Sequence, residues 1–347
     1  MTPDLYFAIP GALDTLTGGY LYDRHLLAGL RTLGLQVEHV PLPGSFPLPD
    51  AAALRITAEQ FAALPDDALV LVDGLAFGVL DTLAQQHCKR LKLIALCHHP
   101  LALESGLTAA QAMQLHASET RALAASRAIL VTSPGTAGLL VGQFNISASK
   151  ITVARPGTQV NDFASCTGDP LQLLTVATLT RRKAHDVLIQ ALAMVAELPW
   201  QAHFIGGAEF DPPWAASLHT LVLESGLQDR IHFHGSIIDL HPWYLQADLF
   251  VLPSLFEGYG MAAAEALAHG LPIVAARAGA VPDVVPDSAG ILVPPADVAA
   301  LGSALRTLLT QPALRSQLQQ GARLAAARLP GWQDTAQIVA TLIRSLQ

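Results

Sequence analysis

Cysteine is scarce: Cys88, Cys97 and Cys166 are scattered through 347 residues, with no Cys-x-x-Cys pair. That excludes a disulfide framework or a cysteine-ligated zinc, and it fits a reducing compartment. Basic charge is short too. Twenty Lys and Arg stand against 28 Asp and Glu, for a net charge of −8, which gives no electrostatic footing for nucleic acid. No apolar run approaches the ~20 residues of a transmembrane helix. The opening Met1-Thr2-Pro3-Asp4 carries acid where a signal peptide carries base and leads straight into a strand, so a cytoplasmic protein is expected. The one basic cluster, Lys89, Arg90 and Lys92, reads as a solvated helix end, with a weak patch for the inner membrane face as the alternative. Two fingerprints are missing as well. No Gly-x-Gly-x-x-Gly follows the first strand and no acid closes the next, which argues against an NAD-dependent oxidoreductase. No Asp-x-Asp stands at a strand end, so no metal is expected to be required.

What the chain has is apolar residues, 51% of it, in short β-rich runs alternating with longer amphipathic segments. The runs are Leu5–Ile9, Val37–Val40, Ala68–Val72, Leu93–Cys97, Ala128–Thr132 and Ile151–Ala154, then Leu173–Val176, His203–Ile205, Ile231–Phe233, Leu249–Leu252, Ile273–Ala276 and Ile291–Val293. Runs apolar throughout, with helices between them, imply parallel strands covered on both faces. The expected fold class is therefore α/β: two Rossmann-like, doubly wound parallel-sheet domains in tandem. We place the first at 1–160 and the second at 161–330, with a turn-rich linker from Arg155 to Pro170 and a last helix in 331–347. In such sheets ligands bind beyond the carboxyl ends of the strands, so a cleft between the domains is the expected site.

Residues just after each strand are the candidates. Gly18-Gly19 follows the first strand and opens a helix, where uncovered amides suit a diphosphate or simply make a turn. His98-His99-Pro100 follows the fourth; His98 can donate to a sugar hydroxyl or be a structural histidine. No third ligand stands near it in the chain, so metal is not expected there. Arg181-Arg182-Lys183 follows the seventh strand at the start of a helix, where the dipole disfavours cations and a bound anion would relieve them; a solvated charge run is the alternative. Ile205-Gly206-Gly207 and Phe233-His234-Gly235-Ser236-Ile237 suit loop closure or a base slot equally. Most informative is the stretch from Glu257 to Val274: a buried strand, then a glycine loop (Glu257-Gly258-Tyr259-Gly260-Met261), an Ala-rich helix holding Glu265, and another strand. The eight-residue spacing of the glutamates is near chance, but amides at a helix start flanked by two carboxylates match a nucleotide-sugar, whose hydroxyls lie on both sides of a diphosphate.

These motifs, with Ala247 to Ser254 and Ala278 to Asp283, resemble the family-4 retaining glycosyltransferases of the GT-B fold. The resemblance is strongest over Leu173–Val293 and looser in the first half. It implies hexosyl transfer from a nucleoside-diphosphate sugar to a glycan, lipid-linked or small-molecule acceptor in glycan biosynthesis, without a cofactor. It implies that Glu257 contacts the donor sugar, Glu265 the ribose, the amides of Gly258 to Met261 the sugar or phosphate, and Arg182 with Lys183 the diphosphate. Gly18 and Gly19 join the donor site, His98 lies by the reacting centre, and the last helix, in 331–347, packs back on the first domain. Acceptor recognition falls to loops near Pro41–Pro49 and Leu101–Gln114. Two positions depart from the pattern: Ala177-Thr178 stands where Gly-Arg is common, shifting one phosphate contact to Arg181 or removing it, and Ala262 stands where Pro is frequent. A non-hydrolysing sugar-nucleotide epimerase and a catalytically idle sugar-nucleotide-binding protein are the alternatives.

Overall fold

The computed structural model describes residues 3–159 and 162–347. The chain divides into two compact units, Met1–Gly157 with Pro330–Gln347, and Thr158–Leu329. The expected boundary at 160/161 falls on Val160 and Asn161, outside the described residues. Among the described residues no helix is long and apolar enough to cross a membrane.

The first unit holds β1 (Leu5–Pro10), β2 (Val37–Leu42), β3 (Leu69–Asp73), β4 (Lys92–Cys97), β5 (Ala128–Val131) and β6 (Ile151–Val153), in the order β2-β1-β3-β4-β5-β6. All pairs are parallel. The period-2 alternation of a strand sends successive side chains to opposite faces. In β1, Leu5, Phe7 and Ile9 join Tyr22, Leu26 and Leu30 of helix Gly18–Thr32, while Tyr6 and Ala8 join Phe61, Phe77 and Phe144 on the other face. Both faces are thus covered by helices, which is why these strands read as unbroken apolar runs.

The helix Trp332–Leu346 belongs to this unit and lays Ala336, Val339, Ala340 and Ile343, one stripe at helical spacing, on the Leu5 face. Val339 and Ile343 contribute about 1.5–3 kcal/mol each by their burial, and the alanines keep the stripe thin. A Cβ on Gly29 would come within 2.7 Å of the Ala336 Cβ, and one on Gly157 within 2.2 Å of the Trp332 backbone. Two glycines therefore permit the close approach. Trp332 stacks on His25, with ring centroids 4.2 Å apart.

The second unit holds β7 (Leu171–Val176), β8 (Trp200–Ile205), β9 (Ile231–Phe233), β10 (Leu249–Leu252), β11 (Ile273–Ala276) and β12 (Gly290–Val293), in the order β12-β11-β10-β7-β8-β9, again all parallel. Every apolar run singled out in the sequence is a strand, with ends moved by at most three residues. Strand order was not legible, and it differs between the units. Direction of travel along the sheet reverses between β1 and β3 in the first unit and between β7 and β10 in the second. At such switch points the loops part and leave a crevice at the carboxyl ends of the strands. Asp248, at the foot of β10, accepts hydrogen bonds from the amides of Gly168 (2.8 Å) and Gln172 (2.7 Å) and so fixes how the chain enters β7.

Candidate functional site

In the second unit, the segments after β7 and β10 flank its switch point and bring Arg182, Lys183 and Glu257 together. The three cations do not open a helix as expected. Arg181–Lys183 is a separate 3-10 turn, Ala184 takes the left-handed conformation (φ 51°), and the helix begins at His185. The anion their position called for is partly supplied by the protein. Lys183 Nζ lies 2.6 Å from Glu257 Oε1, and Arg182 Nη1 lies 3.8 Å from Glu257 Oε2 while donating to the Phe256 carbonyl at 2.9 Å. The Leu255 amide donates to the Arg182 carbonyl at 2.8 Å, tying the two segments together through the backbone. Burial would raise the Glu257 carboxyl, but the charges of Lys183 and then Arg182 outweigh it and hold the group below its usual range. Arg181 turns elsewhere, to Asp211 (3.6 Å) and over the Trp214 ring (4.5 Å), so its side chain is not aligned with Arg182 and Lys183 as a replacement phosphate contact.

Gly279 (φ 54°) lets the loop after β11 close against the Glu257 backbone. A Cβ there would meet the Glu257 carbonyl oxygen at 2.2 Å, and the neighbouring Ala280 amide donates to that oxygen at 2.9 Å. Gly260 (φ 97°) turns the chain into helix Met261–Ala268 without a side-chain cap, leaving the first-turn amides to other partners. Of the loop residues singled out, Tyr259 is expected to act through its amide. Its side chain is buried in the apolar core, so it offers a ligand only its backbone.

Glu265 sits on that helix, and its Oε2 accepts from the hydroxyl of the fully buried Tyr244 at 2.9 Å. Burial raises the Glu265 carboxyl, with the tyrosine hydrogen bond opposing. Tyr244 was missed by the sequence reading: it lies 21 residues from Glu265 on a different element, with no spacing to betray the contact. Gly206 proves structural, since a Cβ there would strike the Ala177 carbonyl oxygen at 1.8 Å. Phe233 packs edge-on against Phe204, and His234 pairs with His203 at 3.0 Å.

His185 lies directly behind Lys183 and is fully buried, with no hydrogen-bond partner for either ring nitrogen. Burial first, and the Lys183 charge second, push it down to about 3. His203 is held at about 4 by burial, then by His234 and His232. The unfolded chain takes up these protons near pH 6.5, before the folded protein does. Their contribution to stability is therefore complete above pH 6.5 and lost as pH falls toward 4 and below. Tm should decline from pH 7 to pH 4, and His185→Leu should show a shallower decline whatever its absolute Tm.

In the first unit, Gly18 and Gly19 open helix Gly18–Thr32, and Thr17 gives no side-chain cap. A Cβ on Gly19 would sit 3.6 Å from His98 Cδ2, so the glycine loop lies against the histidine. The expectation that no third candidate ligand stands near His98 is corrected by the fold, which brings up two carboxylates from other elements. Asp23, one turn along that helix, and Asp73, at the end of β3, each place a carboxylate oxygen 3.3 Å from His98 Nε2. These are ion-pair distances. His99 Nε2 lies 3.8 Å from Glu104. Glu119, which no motif flagged, holds the turn beyond the histidines by accepting from the Leu101 (2.7 Å) and Ala102 (2.9 Å) amides. The basic cluster is structural where it is bonded: Arg90 donates to the Phe61 carbonyl (2.8 Å) and Lys92 to that of Leu346 (2.8 Å).

Against known proteins, residues 170–311 match the family model for glycosyl transferases group 1. A D-inositol 3-phosphate glycosyltransferase of Xylanimonas cellulosilytica is 32% identical over 240 residues, 63% of this chain and 57% of the relative's length. Among solved structures, sucrose-phosphate synthase from Thermosynechococcus elongatus superposes with a TM-score of 0.82 at 23% identity, covering 99% of both chains. HepE from Anabaena, solved with UDP and glucose, gives 0.78 at 16% identity, covering 99% of this chain and 100% of that one. At such identities the superpositions speak for the fold alone. Residues 170–311 thus match the glycosyl transferases group 1 model, and the two six-stranded parallel sheets of the chain have the GT-B fold of these solved glycosyltransferases.

Proposed function

We propose that this protein is a retaining glycosyltransferase that moves a hexosyl group from a nucleoside-diphosphate sugar to a hydroxyl of a glycan, lipid-linked or small-molecule acceptor. The observation that carries the reading is the convergence of Lys183, Arg182 and Glu257 at the β7/β10 switch point, with Lys183 Nζ 2.6 Å from the carboxylate. The curated relative is a glycosyltransferase by name, and HepE was solved with UDP and glucose; both are consistent with a nucleotide-sugar donor.

Breaking the anomeric C–O bond develops positive charge on the sugar and negative charge on the departing diphosphate. Arg182, Lys183 and the amides of Gly258 to Met261 stabilise the second charge where it grows. Each strong contact of this kind gives about 3–4 kcal/mol. Glu257 holds sugar hydroxyls, and Glu265, steadied by Tyr244, holds the ribose. A retaining glycosidase would set a carboxylate nucleophile behind the sugar. Glu257 is instead engaged by Lys183, so same-face attack is favoured, with the departing phosphate taking the acceptor proton. A covalent sugar trapped on Glu257 would sink that step. The fixed cations take the place of a metal, and EDTA should leave the rate unchanged.

Incubation with labelled nucleotide-sugars, with and without acceptors, tests the whole reading. Transfer supports it, isomerisation of the donor points to an epimerase, and tight binding without turnover to an idle binding protein. A thermal-shift screen across UDP-, GDP- and ADP-sugars identifies the donor: a ligand at 100 times its Kd adds about 2.7 kcal/mol of stability.

A further inference from the structure

We propose that Asp23 and Asp73 are positioning residues that hold His98 doubly protonated, so that it serves glycosyl transfer as a fixed charge and hydrogen-bond donor, never as a base. The catalytic half of this inference rests on the transferase reading above; the protonation half does not.

The geometry is specific. One ring nitrogen, Nε2, faces two carboxylate oxygens at 3.3 Å each. A bare lone pair there would face two negative charges, so Nε2 carries hydrogen. Both carboxylates are buried, with 1% and 3% of their side chains exposed, whereas 21% of the His98 side chain reaches the surface. Buried carboxylates need a counter-charge or a proton. The surrounding elements offer little else. From helix Gly18–Thr32, Tyr22 sets its ring edge-on to the imidazole at 5.1 Å, and Tyr20 spends its hydroxyl on the Pro10 carbonyl at 2.7 Å. Arg24 donates to the carbonyls of Leu13 (2.6 Å) and Thr15 (3.1 Å) and acts on Asp23 only through space. From β4, Cys97 is a buried thiol pushed well up. From the end of β3, Asp73 takes one neutral donor, the Leu75 amide at 2.9 Å. The imidazolium is the cation in direct contact with both acids.

The ionisation equilibria agree. Burial works against the His98 charge, but the hydrogen bonds and charges of Asp23 and Asp73 outweigh it and raise the group to about 10. Asp23 rises to about 7, by burial and then by the Asp73 charge. His98 therefore keeps its proton across neutral pH, while Asp23 gives one up near pH 7. A histidine in that state has no lone pair for an acceptor hydroxyl's proton, which leaves the departing phosphate as the base. Its exposed edge can still donate to a hydroxyl.

The test is nitrogen NMR of the full chain with 15N-labelled histidine, His98 being assigned through His98→Gln. The proposal expects both His98 nitrogens to stay protonated to about pH 9, and Asp73→Asn to drop the midpoint toward the ordinary histidine value near 6.5, with Asp23→Asn shifting it less. Turnover of the wild type should show no step between pH 6 and 8.5 that belongs to His98, any step near pH 7 being that of Asp23 and lost in Asp23→Asn, whereas Asp73→Asn should gain a histidine step; a merely structural loss would lower the rate uniformly. Should Asp73→Asn not fold, Asp23→Asn carries the same comparison. Titration of wild-type His98 near pH 6.5, or signals unmoved in both Asp variants, would overturn the clamp. So would Mn²⁺ broadening of the His98 signals, or a Zn²⁺-dependent rise in Tm, either of them lost in Asp73→Asn, for the cluster would then be a metal site. A ring that stays protonated in a protein that turns over no donor would uphold the clamp and count against the transferase reading alone.

Discussion

Lys183→Ala should abolish most glycosyl transfer and destabilise the protein at the same time, and the two losses should separate on a second substitution. The rate loss follows from removing the cation nearest the proposed leaving group. One preorganised group aimed at developing negative charge is worth about 10²–10³ in kcat, and a comparable fall is expected here. The stability loss has a different origin. Glu257 is 7% exposed and its Oε1 depends on Lys183 Nζ at 2.6 Å; the remaining partner, Arg182, stands at 3.8 Å. Leaving one member of a buried pair behind costs about 3–5 kcal/mol, and the surviving arginine should keep the cost toward the lower end. Adding Glu257→Gln to Lys183→Ala removes the stranded charge. The double variant should recover most of the lost Tm and none of the activity, as expected of residues that share one contact. The pH dependence follows as well. In the wild type the Glu257 carboxyl is held below its unfolded value, so its contribution is present above about pH 4.5 and lost in more acidic solution. Lys183→Ala should lose that acid-sensitive part of the stability curve. Activity within threefold of wild type, measured at saturating donor, would show that Lys183 does not meet the leaving group.

How much of this could be read from the chain differs between elements for physical reasons. The strands were legible because both faces of each sheet are covered: Leu5, Phe7 and Ile9 fill one side, Tyr6 and Ala8 the other, so the runs are apolar without alternation. The order of the strands was not, because hydrophobicity says where a strand lies and nothing about its neighbour. The position of Lys183 beside Glu257 depends on β7 pairing with β10, a contact across 74 residues. The cations themselves were found but set on the wrong element, since the left-handed turn at Ala184 has no glycine or asparagine to announce it. Asp23 is the sharpest omission. An aspartate in an amphipathic helix reads as a solvent-facing residue, and here it is 1% exposed. Its burial is intelligible only once His98 and Asp73 are brought to it by the fold. Tyr259 is compatible with the reading that assigned it a backbone role, since its ring is core and its amide remains in the glycine loop.

The two glutamates should divide by kinetic constant. Glu265 is held by the Tyr244 hydroxyl at 2.9 Å on a helix one loop away from Glu257. A group that holds the ribose binds ground state and transition state alike, so Glu265→Ala should raise the donor KM about 10- to 100-fold with kcat little changed. Tyr244→Phe should move KM the same way by less, since it frees the carboxylate without removing it. Glu257 is different because it is already paired. Its loss leaves Lys183 and Arg182 without their internal anion, and a diphosphate no longer has to compete for them. Glu257→Ala should therefore bind the nucleoside diphosphate at least as tightly as wild type while kcat falls about 10²- to 10³-fold, the pattern of an interaction worth more in the transition state than in the ground state. Calorimetry with the nucleotide alone and initial rates over a range of donor separate the two variants. If Glu257→Ala only raises the donor KM and keeps kcat, the carboxylate is a binding group like Glu265, and the sugar must be oriented for attack by the backbone of the glycine loop.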